Sequence, residues 1–260
     1  MATRPPASSP LDRRLDLDSG DRLVLVLMGA QIGCLLAAYT IAKVLRDSMF
    51  LSTYGAGALP WGYVAVALAA VALIALEGRI GRRLPANRIN EFTQYSAIGL
   101  SLAAALLAPS QPLWLPAVFY VWTGSQALLL VSHFWIAAID AWDSQRARKI
   151  FPLLTGFGLV GGIAGGAFAA FHPERSGATL LLWTLCGLLV AFRVLSFAVA
   201  LRVPQRPLVT QVAAGTSAWT TFRDSSFLRY LAATLGLAVV VSTLVDFQFK
   251  TMASPSVAAR

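Results

Sequence analysis

Polar connections divide the chain into seven stretches that are almost continuously apolar, near residues 23–46, 60–80, 92–109, 113–139, 151–171, 178–202 and 226–249. A helix rises about 1.5 Å per residue and bilayer hydrocarbon is about 30 Å thick, so roughly 20 apolar residues make one crossing. Each stretch is near that length. None shows the period-two alternation of a barrel strand, so each predicts a membrane-spanning α-helix. The pattern predicts an all-α polytopic membrane protein. Its parts are a flexible tail over 1–21, a six-helix bundle over 22–202, a polar linker over 203–225, a seventh transmembrane helix over 226–250 and a short tail over 251–260.

Composition strengthens this picture. Hydrophobic side chains make up 57% of the sequence and charged ones only 13%, about half the charge that coats an ordinary soluble domain. That argues against a water-soluble enzyme and against a disordered chain. Cys34 and Cys186 lie inside apolar runs and read as packing residues, not as a disulfide framework. Lys and Arg number 21 against 12 Asp and Glu, for a net charge of +9. On a soluble protein this would suggest a nucleic-acid partner. Here the positions of the charges point to the lipid bilayer as partner and to no nucleic acid. Arg4, Arg13, Arg14 and Arg22 precede the first span; Arg79, Arg82, Arg83 and Arg88 follow the second. Arg146, Arg148 and Lys149 follow the fourth, and Arg202, Arg206 and Arg223 the sixth. The intervening connections are poorer, with Lys43 and Arg46 ending the first span and only Arg175 in the fifth connection. The positive-inside rule then predicts a multi-pass protein of the cytoplasmic (inner) membrane with a cytoplasmic N-terminus. Residues 1–21 have no apolar run before a small-residue cleavage site, so they read as a tail and not as a signal peptide.

Candidate chemistry resides in the few polar groups that the spans tolerate. A charge at mid-helix costs roughly 2.5–3.5 kcal/mol on insertion scales, so each calls for a partner or a wet cavity. Lys43, Arg46 and Asp47 stand at the predicted exit of span one, His133 and Asp140 on span four, Arg193 on span six, and Asp246, Gln248 and Lys250 at the exit of span seven. Lys43 and Arg46 are three apart and share a helical face. Asp47 is four beyond Lys43 and Lys250 four beyond Asp246, spacings that allow ion pairs within one helix. His133 and Asp140, seven apart, share a face and could relay a proton, although a structural hydrogen bond is the commoner use of such a pair. No zinc spacing or serine–histidine arrangement accompanies them, so neither an intramembrane enzyme nor a cofactor is expected. Arg193 is expected either to snorkel toward the interface or to face an anion in a cavity.

The glycines of span five also carry a motif. Gly156-Phe157-Gly158-Leu159-Val160-Gly161 satisfies G-x-G-x-x-G, but inside an apolar span it lacks the preceding strand that a dinucleotide site requires. Gly158 with Gly162, Gly161 with Gly165 and Gly162 with Gly166 are each four apart, which predicts close approach of a neighbouring backbone and a face suited to sliding. Trp61, Trp114 and Trp142 stand at span edges as expected interfacial anchors, whereas Trp122, Trp135 and Trp183 are expected to pack.

Two resemblances extend this reading. Arg79-Ile80-Gly81-Arg82-Arg83 is similar to the signature between the second and third helices of the major facilitator superfamily. Ile74 stands where that pattern has glycine, Gly78 where it has aspartate, and the acid comes one place early as Glu77. Arg79, Arg82 and Arg83 could pair with acidic groups on another cytoplasmic helix end and hold one gated state closed, or serve only as positive-inside charge; Asp47, His133 and Asp140, read from their spacing, are the other gating or charge-relay candidates. The run from Tyr39 to Leu51 with Tyr54–Pro60 resembles the first helix and following loop of the ATP:ADP translocase family. Phe134-Trp135, Asp140, Asp143, Arg146, Arg148–Leu153 and the glycine run resemble its fourth and fifth helices, and Asp246–Lys250 its seventh.

The resemblance implies a major-facilitator-like six-helix bundle plus a seventh helix, the N-terminal half of a family of about twelve helices. It implies exchange of an anionic solute of the nucleotide class by alternating access. In characterised members basic residues of the first helix are implicated in transport, which carries over to Lys43 and Arg46. Arg193, Gln248 and Lys250 join them as substrate-binding candidates. Two bundles are needed to enclose such a site, so the expected partner is a missing C-terminal half or a second copy, and a truncated or split gene is the preferred expectation. The alternative is a non-transporting membrane scaffold, regulatory subunit or inactive fragment, for which the intramembrane charges would pair with one another and leave no solvated cavity.

Overall fold

The computed structural model describes residues 19–81, 83–110, 112–172, 175–203 and 222–258. They form seven long helices: α1 (Ser19–Tyr54), α2 (Leu59–Ile80), α3 (Ala86–Leu107), α4 (Leu115–Ala141), α5 (Ser144–Ala170), α6 (Arg175–Ala200) and α7 (Ser226–Ala258). All seven are long and apolar enough to cross a bilayer, and no strand occurs among the described residues. The protein is an all-α polytopic membrane protein. Helix starts follow the prolines: Pro60 and Pro116 stand in the first turns of α2 and α4, where the missing N–H costs no intrahelical bond, and extended Pro85 precedes α3. Gly55 has a φ of 73°, a conformation that suits glycine, and separates α1 from the turn leading into α2.

Neighbouring helices alternate in direction, as contacts at the two ends show. Asp21, in the first turn of α1, meets Arg146, in the first turns of α5. Late α2 meets early α3 and late α4 through Glu77, Thr93 and His133, and late α6 meets early α3 through Arg193 and Glu91. All of these lie at the start face, the side on which α1 begins. At the far face, Tyr54 at the end of α1 donates to the Leu113 carbonyl just before α4.

The principal helix pairs are α1 with α4, α5 and α6, α2 with α4, and α3 with α4 and α6. Exchanging α1 with α4, α2 with α5 and α3 with α6 converts this set into itself. Three helices reverse the direction of the chain, so the bundle consists of two three-helix units of opposite orientation, the arrangement of an inverted repeat. Burial agrees with that exchange. The two equivalent helices α1 and α4 have 56% and 50% of their most apolar windows buried, more than any other span, and α7 has 0%. Met28, Ile32, Leu35, Ala38, Ile41 and Leu45 recur every three or four residues along α1 and form its buried stripe.

α5 lies directly on α1. A Cβ at Gly161 would strike the Gly33 backbone, one at Gly165 would come within 2.6 Å of the Ala37 carbonyl oxygen, and one at Gly158 would meet Leu36 at 2.8 Å and Ile32 at 3.1 Å. Gly162 and Gly166 flank this seam beside Thr40. The small residues thus permit backbone contact between helices in a medium where packing, more than water exclusion, drives association. α7 lies outside the bundle and touches it lightly, near the far face.

Several boundaries differ from those read off hydropathy. α1 continues to Tyr54, so Lys43, Arg46 and Asp47 are inside the helix and not at its exit. α7 continues to Ala258, which places Asp246, Gln248 and Lys250 within it and makes residues 251–258 helical. α5 begins at Ser144, so Arg146, Arg148 and Lys149 occupy its first turns. Most of the expected tail over 1–21 and linker over 203–225 lies outside the described residues. Two tryptophans exchange roles: Trp142 is buried beneath the end of α4 and is no interfacial anchor, whereas Trp183 is half exposed on the outer surface of α6.

Candidate functional site

A charged cluster lies toward the far face, where α1, α2, α4 and α7 converge. α1 supplies Lys43, Arg46 and Asp47, α2 supplies Tyr63, α4 supplies Tyr120 and Gly124, and α7 supplies Asp246 and Lys250. Lys43 Nζ is 3.1 Å from Asp246 Oδ1. Lys250 Nζ lies between two carboxylates, 2.8 Å from Asp47 Oδ2 and 2.6 Å from Asp246 Oδ2. The Tyr63 hydroxyl donates to Asp246 Oδ2 at 2.9 Å. The Asp246 carboxylate thereby receives three donors, two cationic and one phenolic. The expected pairing within α1 does not form: Asp47 is engaged by Lys250 and Lys43 by Asp246, so both contacts cross between helices.

Arg46 occupies the inner side of the cluster. Its guanidinium lies over the Tyr120 ring, 5.0 Å from the centroid, and its Nε is 3.4 Å from Asp47 Oδ1. That separation is an ion pair without hydrogen-bond geometry, and Arg46 Nε, Asp47 Oδ1 and the buried Tyr120 hydroxyl are without hydrogen-bond partners among the described residues. Gly124 makes room for the guanidinium: a Cβ there would lie 2.8 Å from Arg46 Nη1 and 2.9 Å from Val66. In low dielectric, three cations against two carboxylates leave the cluster with one excess positive charge.

The cluster opens into a cleft of about 440 Å³ between α1, α2 and α7. Lys43, Arg46, Tyr63, Ser242, Thr243 and Asp246 provide its polar lining. Access to the cations differs sharply. The Lys43 side chain is 41% exposed and Lys250 only 7%, so Lys43 is the cation that the cleft presents.

The remaining candidates are placed elsewhere. Gln248 is exposed on α7 away from the cleft lining and is not brought to the cluster. Arg193 is paired with a carboxylate and lines no cleft with the cluster: its Nη2 is 3.2 Å from Glu91 Oε1, and the guanidinium lies 5.0 Å from the Tyr95 centroid and 5.9 Å from that of Phe197. The proton relay from His133 to Asp140 is not assembled. His133 Nε2 instead lies 3.3 Å from Glu77 Oε2, and Glu77 Oε1 accepts from the Thr93 hydroxyl at 2.9 Å. Asp140 has no ion pair among the described residues. Arg79 and Arg83 are exposed and meet no acidic partner among the described residues, while Arg82 lies outside them. The Gly158–Gly166 face packs on α1 and takes no part in the charged cluster.

Tyr63, Tyr120, Gly124 and Glu91 were not singled out by the sequence, and Glu77 was noted only within the Glu77–Arg83 connection, not as the partner of His133. Tyr63 and Tyr120 each stand a few residues inside a span that begins at the far face, the level that Lys43 and Arg46 reach on α1. Matching depth between oppositely directed spans is a signal that could have found them.

No protein-family model, no curated protein and no solved structure matches this chain.

Proposed function

We propose that this chain is a transporter half of the ATP:ADP translocase type, which binds an anionic solute of the nucleotide class at the far-face cluster and exchanges it across the cytoplasmic membrane. One observation carries this reading: a cation-rich cluster, left with an excess positive charge, borders a polar cleft through the exposed Lys43. A polyphosphate needs several cations at once, with Lys acting as a point charge and Arg as a rigid fork. The two inverted three-helix units support the same reading, because alternating access depends on bundles that rock about a central site. The described bundle forms one wall of that site, and a second bundle forms the other. The clustering of Arg residues after even-numbered spans orients the start face to the cytoplasm.

The test is uptake of labelled ATP into vesicles that hold the chain together with a second bundle. Replacing Lys43 and Arg46 by Gln abolishes uptake while leaving assembly intact. Full uptake by that double variant overturns the reading.

A membrane scaffold is the second reading, and the internal pairing of Lys43 and Lys250 with carboxylates favours it. On that reading the pairs only hold α7 to the bundle, the same double variant loosens α7, and neither the parent chain nor the variant takes up ATP.

A further inference from the structure

We infer that Asp246 is a built-in counter-anion, occupying the place that the transported anion takes, so that anion binding releases the far-face end of α7 from the bundle. The inference rests on the anion-site reading and adds the moving part to it.

Among the described residues, α7 makes few contacts with the bundle. None of its most apolar window is buried, and its attachment to the bundle is concentrated at Asp246, Phe247 and Lys250. Asp246 accepts from Lys43 and Tyr63 of the bundle, and both of those residues also line the cleft. An anion entering the cleft therefore meets a cation already neutralised by a carboxylate, and it can pair fully with Lys43 only by displacing that carboxylate.

Charge balance shows that the exchange is feasible in hydrocarbon. Asp246 and Lys250 form a pair at 2.6 Å within one helix, so α7 can withdraw with its two charges neutralising each other. The bundle then retains Lys43, Arg46 and Asp47, and Arg46 and Asp47 remain 3.4 Å apart. Lys43 is left as the uncompensated cation, which the incoming anion neutralises. A neutral solute cannot replace the carboxylate, because it offers Lys43 no counter-charge. The device therefore rejects uncharged molecules and couples occupancy to helix movement, since ligand and Asp246 compete for one position.

The experiment uses the full chain in lipid nanodiscs with ATP as probe and adenosine as its neutral control. Spin labels at Val64→Cys on α2 and Val240→Cys on α7, with Cys34 and Cys186 replaced by Ala, report the separation of the two helices. ATP lengthens or broadens the distance distribution and adenosine leaves it unchanged. Independently, Asp246→Asn removes the competing charge and tightens ATP binding by about tenfold, since less of the protein is held with position 246 paired to Lys43. ATP binding with an unaltered distance distribution, or an Asp246→Asn variant that binds ATP no more tightly, overturns the inference while leaving the anion site standing. Absence of ATP binding to both the parent chain and the variant overturns the anion site and this inference together. Should Asp246→Asn fail to fold, the labelled chain with its native carboxylate decides.

Discussion

The two faces of the bundle handle intramembrane charge differently. At the start face, bases and acids meet in separate couples: Arg193 with Glu91, His133 with Glu77, and Arg146 with Asp21. Each couple joins two helices. At the far face, three bases share two carboxylates, one phenol completes the coordination, and a cleft lies alongside. Coupled charges in a membrane satisfy one another by pairing. A surplus beside a polar cleft needs a ligand or water, and the far-face cluster combines the two.

This contrast can be broken by single substitutions, with effects that decline from the far face to the start face. Gly124→Leu is the most damaging of them. Its side chain must occupy the space of the Arg46 guanidinium and Val66, which swings Arg46 from Tyr120 and lowers ATP affinity by about tenfold, or roughly 1.4 kcal/mol, in equilibrium binding to nanodiscs. Glu91→Gln comes next. It leaves Arg193 on aromatic rings without its counter-charge and lowers the unfolding midpoint in detergent by the equivalent of about 1 kcal/mol, a figure reduced because Glu91 is 44% exposed. Its ATP affinity stays at the parent value. Arg146→Gln is the mildest. The pair with Asp21 is 41% and 28% exposed, so stability changes by less than about 0.5 kcal/mol and binding is unaltered. A Glu91→Gln variant that loses ATP binding would erase the distinction between the faces.

The spans were legible because a membrane demands uninterrupted apolar length, and that demand is written locally. The ends of α1 and α7 were not. Charges at Lys43–Asp47 and Asp246–Lys250 read as exits from hydrocarbon, yet the helices continue because acids and bases of α1 and α7 pair with one another between the helices. Helical spacing pairs a residue only with its own helix, so it offered Lys43 with Asp47, where the fold supplies Asp246 to one and Lys250 to the other. The same limit applies to His133. Its sequence neighbour on the helix face is Asp140, but Glu77 arrives from an antiparallel span at the same depth. The close seam of Gly158, Gly161 and Gly165 was legible as a face, while its partners Ile32, Gly33, Leu36 and Ala37 needed the fold. Gln248 follows the charged residues in sequence only, since its position turns it away from them.

The most direct measurement is ATP binding to the parent chain and to the Lys43→Gln, Arg46→Gln double variant in nanodiscs, titrated at several salt concentrations. A ligand held by the far-face surplus binds the parent chain more weakly as salt rises, and the double variant loses about 100-fold in affinity, close to 3 kcal/mol, while keeping its helical content. Equal affinity in the two proteins, or parent binding that salt does not weaken, would contradict the account.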